Sequence, residues 1–229
     1  MATAPAIPAI NGLIAPPSDA ETLIMFKPSD DMSLEVDNVI RNHPLARALR
    51  DNPDFAESRP HMKIPEALRS HTLTGGTLTG PGRILVPPFA WSEKGGKSLV
   101  SISYLGTDLC GHPGIIHGGL LATILDEGLA RCCFPALPNK VGMTANLNIN
   151  YRKPAHAGAF VVLRAKTVKV EGRKAWVEGR IETLVQKGEE PVVLVEATAL
   201  FIEPRQAAVS DVYLRPVGFF KLREAWSDA

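Results

Sequence analysis

The sequence predicts an α+β fold in which one antiparallel sheet wraps around a single long helix, and three patterns carry that expectation. Five stretches rich in β-branched and apolar residues fill the second half of the chain, at 98–105, 141–151, 160–170, 175–185 and 192–202. One long helical pattern, 117–133, sets Leu120, Leu121, Ile124, Leu125, Leu129 and Cys132 on a single stripe before Pro135 and Pro138 end it. The joints Glu171-Gly172-Arg173-Lys174 and Gln186-Lys187-Gly188-Glu189-Glu190 are short and contain Gly, so the last three strands should form an antiparallel meander.

Ahead of these strands the chain divides by composition. Residues 1–30 hold Pro5, Pro8, Pro16, Pro17 and Pro28 among Ala and Ser, which resist helix and sheet and predict a flexible arm. Residues 31–72 read as a helical extension: Leu34, Val36, Val39 and Ile40, then Leu45 and Leu49, fit two short amphipathic helices broken near Pro44, with a third at Pro65–Ser70. The main domain is expected over 73–205 and a C-terminal tail over 206–229. The glycine-rich run from Thr74 to Gly82 leads into Ile84-Leu85-Val86 and Pro87-Pro88, whereas a phosphate-binding loop should open a helix and commonly carries a lysine, so no nucleotide site is assigned there.

The bulk numbers exclude several classes. In 229 residues, 45% hydrophobic and 21% charged, there is material for one sizeable core. The 25 Lys and Arg nearly balance 24 Asp and Glu, which gives no electrostatic case for nucleic acid or an anionic membrane, so an anionic ligand must be held locally. No apolar stretch is long enough to cross a bilayer, and the first 26 residues lack Arg and Lys, unlike a secretory or mitochondrial leader. The default location is therefore the cytoplasm, with the mitochondrion left open. Cys110, Cys132 and Cys133 are odd in number and lack C-x-x-C spacing, so neither a disulfide framework nor a zinc site is indicated. No metal and no cofactor is expected.

Two segments could carry chemistry. On the long helix, Asp126 lies roughly opposite the apolar stripe with Ala122 and Ala130 at i−4 and i+4, a row where a solvent face would ordinarily hold Lys, Glu or Gln. Periodicity fits a site residue and a plain surface carboxylate equally well; Glu127 and Arg131 read as an ordinary i,i+4 pair. At the helix start Gly118 and Gly119 present unobstructed N–H groups at the positive end of the helix dipole, where a thioester carbonyl could be polarised, and His117 reads as a structural cap. In the strand 141–151, Met143, Ala145, Leu147, Ile149 and Tyr151 alternate with Thr144, Asn146, Asn148 and Asn150, an uncharged polar row suited to a partly enclosed wet surface. Thr144 is the candidate for orienting a water. Arg152-Lys153 and Arg173-Lys174 place paired cations at strand ends, suited to coenzyme A phosphates and equally to solvated turns.

His117-Gly118-Gly119 with Asp126 nine positions on, then Met143–Tyr151 and Val170–Lys174, together resemble the HGG-motif hotdog thioesterases, of the carboxyl-terminal modulator protein type and more distantly the phenylacetate-pathway type. The resemblance covers about 98–203 and implies a hotdog fold with an acyl-coenzyme A substrate. It further implies that Asp126 activates water or attacks the thioester carbon, that Gly118 or Gly119 polarises the carbonyl and that Thr144 positions water. His117, Asn146, Asn148 and the two cation pairs would line the substrate. A homodimer or dimer of dimers is implied, with the active site across its interface. Where several relatives carry Asn or Gln before H-G-G, this loop reads Cys110–Ile116, with His112 as the available polar group.

A thioester is already activated, so excluded water, backbone N–H donors and one carboxylate suffice for hydrolysis. There is no G-x-S-x-G elbow for a serine route. Two rivals remain: a hotdog hydratase or dehydratase, and an idle hotdog that binds acyl thioesters or a protein through residues 1–70.

Overall fold

Residues 16–205 and Ala207 are described by the computed structural model. In chain order the elements are α1 (Asp19–Met25), α2 (Asp31–Asn42), α3 (Pro44–Arg50), β1 (Phe55–Ser58), a 3₁₀ turn (Pro60–Lys63), α4 (Glu66–Arg69), a π-helical turn (Leu73–Thr77), β2 (Phe89–Glu93), β3 (Ser98–Leu105), β4 (Cys110–His112), β5 (Ile115–Ile116), α5 (Gly118–Cys133), β6 (Met143–Tyr151), β7 (Ala159–Glu171), β8 (Lys174–Thr183) and β9 (Val193–Ile202). Seven strands form one antiparallel sheet in the order β1-β2-β3-β7-β8-β9-β6. β7, β8 and β9 are the expected meander, and each expected strand lies within two residues of its predicted ends. The sheet curls around α5, which is the α+β hotdog arrangement.

Three expectations are corrected. The 1–30 stretch is not all arm: Ser18 accepts from the Glu21 N–H while Glu21 reaches back to the Ser18 N–H, a capping box that starts α1 despite the flanking prolines. Residues 1–15, and the expected tail 206–229 apart from Ala207, lie outside the described residues. The extension is not purely helical either, because β1 joins the sheet edge beside β2, and a run as short as Phe55–Ser58 carries too little periodicity to be read alone. Part of the run expected as a loop after Thr74 belongs to the π-helical turn.

Alternation along β3 serves two cores. Leu99 and Leu105 face α5 with Leu121, Leu125, Leu129 and Leu163, while Val100, Ile102 and Tyr104 face Val36, Ile40 and Ala46 of α2 and α3. On β8, Gly179 lets α5 press close, since a Cβ there would stand 2.8 Å from Leu129 Cδ2. The extension is pinned by Arg59, wholly buried, which donates to Asp37 and to the Pro87 carbonyl (2.7 Å) with its guanidinium 3.8 Å from the Phe89 ring centroid.

Candidate active site

The start of α5 is organised by three contacts. The His117 N–H donates to the Leu109 carbonyl (2.9 Å), and His117 Nδ1 accepts from the Gly119 N–H (2.9 Å), so the histidine is a helix cap. The cap occupies the Gly119 amide that was expected as an alternative carbonyl donor, and it commits His117 Nδ1 to the backbone rather than to substrate. The Gly118 N–H remains, at the helix N-terminus, with no acceptor among the described residues. Tyr151 Oη donates to the Gly118 carbonyl (2.8 Å), and a Cβ at Gly118 would lie 3.3 Å from the Tyr151 ring, so a bare glycine is what lets the ring sit there.

β6 does not keep the strict alternation its sequence suggests. A bulge between Thr144 and Asn146 places Thr144 opposite Phe201, and Leu147, Ile149 and Tyr151 opposite Ala199, Ala197 and Val195. Cross-strand partners share a face, so the bulge turns Thr144 onto the α5 side together with Leu147, Ile149 and Tyr151. There Thr144 Oγ1 donates to Asp126 Oδ1 (2.8 Å) on a half-buried stretch of helix. Asn146, Asn148 and Asn150 stay on the other face, opposite Leu200, Thr198 and Glu196, where Asn148 Nδ2 donates to Asn146 Oδ1 (2.6 Å). The polar row expected to line one surface is thus split, and Asn146 and Asn148 lie across the sheet from Asp126 of the same chain.

Gly118 and Asp126 are eight residues apart on one helix, about 12 Å along its axis at about 1.5 Å per residue. One thioester carbonyl cannot touch both in a single chain. The cation pairs are separated too: Tyr151 pairs with Val195, and Lys174 with Ile202 at the far end of β9, so Arg152/Lys153 and Arg173/Lys174 stand roughly 25 Å apart at about 3.3 Å per residue. Arg152 is also engaged by Glu196 (2.7 Å), and Arg173 donates to the Glu203 carbonyl (2.6 Å), whereas exposed Lys153 and Lys174 bear no side-chain contact among the described residues.

Glu127 and Arg131 are not joined by an ion pair. Both Glu127 oxygens instead accept from Thr74 Oγ1 (2.9 Å) of the π-helical turn, and burial raises the Glu127 carboxyl above its ordinary range despite that bond. The Tyr151 contact and the Thr74 contact escape a reading of motifs. Each joins residues far apart in the chain, 33 positions for the first and 53 for the second.

Comparison with known proteins agrees with this fold. A family model described as the thioesterase superfamily matches residues 113–204, which contain α5 and β6 to β9. An uncharacterised protein of Schizosaccharomyces pombe is 41% identical over 161 residues, 70% of this chain and 89% of that protein. An uncharacterised mitochondrial protein of Candida albicans is 34% identical over 167 residues, 72% of this chain and 75% of its own. The acyl-coenzyme A thioesterase THEM4 of Mus musculus is 42% identical over 107 residues, 47% of this chain and 44% of that enzyme, so the match spans under half of it. Among solved structures, a thioesterase superfamily protein designated RHA08564 is 26% identical with TM-score 0.46, covering 81% of this chain and 84% of the other.

Proposed function

We propose that this chain, which belongs to the thioesterase superfamily, hydrolyses an acyl thioester of the acyl-coenzyme A kind at a site shared by two copies of the chain. The observation that carries the reading is the 2.8 Å bond from Thr144 to Asp126 Oδ1, which leaves Oδ2 free to accept a proton from water. Water loses its proton to Asp126 as its oxygen bonds to the thioester carbon. The carbonyl oxygen becomes an oxyanion held by a Gly118 N–H, and collapse breaks the carbon–sulfur bond to release carboxylic acid and thiolate, which takes up a proton. Direct attack by the Asp126 carboxylate would use the same groups and pass through an anhydride. Hydrolysis in oxygen-18 water under single turnover separates the two, since only direct attack returns an unlabelled oxygen from Asp126 to the product.

The axial distance between Gly118 and Asp126 supports the shared site. β6 ends the sheet with one edge unpaired. If two β6 edges pair antiparallel about a two-fold between Leu147 and Asn148, Tyr151 and its Gly118 lie beside Thr144 of the partner subunit and its Asp126. The same pairing draws Arg152 and Lys153 toward Lys174 of the partner subunit, giving coenzyme A phosphates a cluster that one chain lacks.

A mixing experiment tests this. Asp126→Asn, which loses the base, and Gly118→Pro, which deletes the donor N–H at a first helical position that tolerates proline, should each be inactive alone, yet a heterodimer holds one intact site, so unfolding and refolding the two together should restore about a quarter of wild-type activity under random pairing. No recovery, with dimers present by analytical ultracentrifugation, would reject the shared site. Addition of water to 2-enoyl thioesters without thiol release would favour the hydratase rival, and equal trace rates in wild type and Asp126→Asn would favour the binding one. A cytoplasmic location finds no support among the relatives, two of which carry mitochondrial names, so the mitochondrion is the compartment proposed. Fractionation of cells expressing the tagged full chain decides it.

A further inference from the structure

β6 is held in a register that its own sequence works against. Met143 lies opposite Ile202 and Thr144 opposite Phe201, Ala145 is the extra residue of the bulge, and pairing resumes with Asn146 opposite Leu200. Without the bulge, and with Asn146 in place, Ala145 would stand opposite Phe201, Thr144 opposite Ile202 and Met143 opposite Glu203. Met143, Ala145, Leu147, Ile149 and Tyr151 would then all face α5, the arrangement their alternation favours, and Thr144 would point to the other face, away from Asp126. In the observed register Ala145 is exposed instead. Against that loss stands one hydrogen bond from Thr144 to Asp126, so something beyond β6 holds the bulge.

Glu203, the residue after β9, is placed to do so. It is 2% exposed, and its carboxylate accepts twice from one residue of the α5–β6 connection, the Asn139 N–H at Oε2 (2.8 Å) and Asn139 Nδ2 at Oε1 (2.7 Å). The carboxylate forms no ion pair among the described residues, so Asn139 is the partner for which it is buried. Its backbone is fixed by the β7–β8 hairpin: the Glu203 N–H donates to the Arg173 carbonyl (2.7 Å) and Arg173 Nη1 to the Glu203 carbonyl (2.6 Å). Next to Asn139, Lys140 has φ 57°, a left-handed conformation that a lysine keeps only where its surroundings impose it. Loss of the bulge would push the connection along by one residue, about 3.3 Å, and break both bonds to Glu203. It would also drive Met143 toward the place of Gly142, where a Cβ would stand 2.8 Å from Phe134 Cε1, so the connection must lift before the strand can slip. We propose that Glu203 is a positioning residue for the Asp126–Thr144 pair: by gripping Asn139 it keeps β6 in the bulged register, which turns the Thr144 hydroxyl onto Asp126. The consequence for catalysis rests on Asp126 being the base, whereas the register is observable without turnover.

The test labels the threonine γ-methyl groups of the full chain with carbon-13 and assigns Thr144 through Thr144→Val. In the wild type a nuclear Overhauser contact from the Thr144 methyl to the Asp126 β protons is expected. Glu203→Gln turns one of the two acceptors into a donor facing Asn139, and Asn139→Ala deletes a donor from the exposed side of the same contact. Each should lose the Thr144 contact while circular dichroism shows a folded chain. In acyl-coenzyme A turnover each should lower kcat about tenfold to a hundredfold with KM unchanged, and neither should lower it further once Thr144→Val is present. Thr144 contacts of wild-type strength in both variants, or equal losses of kcat with and without Thr144→Val, would overturn the proposal. Loss of the contact in the variants of a chain that hydrolyses no thioester would reject the hydrolase reading and leave the hold of Glu203 on the register standing.

Discussion

Asp126 and Tyr151 are each tied to a partner at 2.8 Å, yet they act at different points of the proposed reaction, so their removal should be distinguishable. Asp126→Asn keeps size and loses the base, so kcat toward acyl-coenzyme A should fall about 10²- to 10⁴-fold with little change in KM, read by thiol release. Tyr151→Phe keeps the ring against Gly118 and deletes only the donor that steadies the 118–119 peptide. Loss of one neutral hydrogen bond of about 1 kcal/mol predicts a drop of at most about fivefold in kcat and a melting temperature lower by no more than a few degrees. A Tyr151→Phe enzyme with wild-type kcat would remove Tyr151 from any part in positioning. The identities of Asp126, Gly118 and Thr144 as site candidates were legible because H-G-G, the acid nine residues on and the following strand occur in order. The cap role of His117 was legible from its place before the helix, but the burden carried by Tyr151 was not, because a hydroxyl reaching across from β6 leaves no periodic trace.

At the scale of elements, the 3₁₀ turn Pro60–Lys63 seats a neutral histidine against α5. Burial, with Arg131 and Arg69 nearby, lowers the His61 pKa from 6.5 to about 4. The unfolded chain therefore binds the proton more readily between those values. Stability from this group is complete above pH 6.5, declines as pH falls through the window, and changes no further below about 4. The loss should reach at most about 3 kcal/mol, and His61→Gln should flatten this part of the acid limb in denaturant melts taken from pH 7 to 4. α1 and β6 show two ways in which elements depart from pattern. A capping box overrode the prolines around α1, and a one-residue bulge in β6 moved Thr144 to the helix side while leaving the asparagines on the other.

At the scale of the whole molecule, the extension is part of the fold rather than an appendage, because its helices cover the back of β2 and β3 and its 3₁₀ turn, with the π-helical turn that follows it, packs beside α5. The buried Arg59–Asp37 pair is the point at which this covering is fastened. Asp37→Ala would strand a buried guanidinium, so a loss of about 3–5 kcal/mol is expected in chemical denaturation, together with faster proteolysis between α1 and β1. A smaller effect than that of Asp37→Asn would show that the ion pair is not the fastening.

The sequence by itself determined the α+β class, the five long strands, the central helix and the candidate acid, because each rests on local periodicity or on residues close together in the chain. Only the tertiary structure decided which side chains meet. Register and the β6 bulge brought Thr144 to Asp126 and sent Asn146 away. The strand order placed β1 and β2 in the sheet and left the β6 edge unpaired. The packing of the extension beside α5 formed a cavity lined by residues from 60 to 163, a span across which local pattern carries no information about contact.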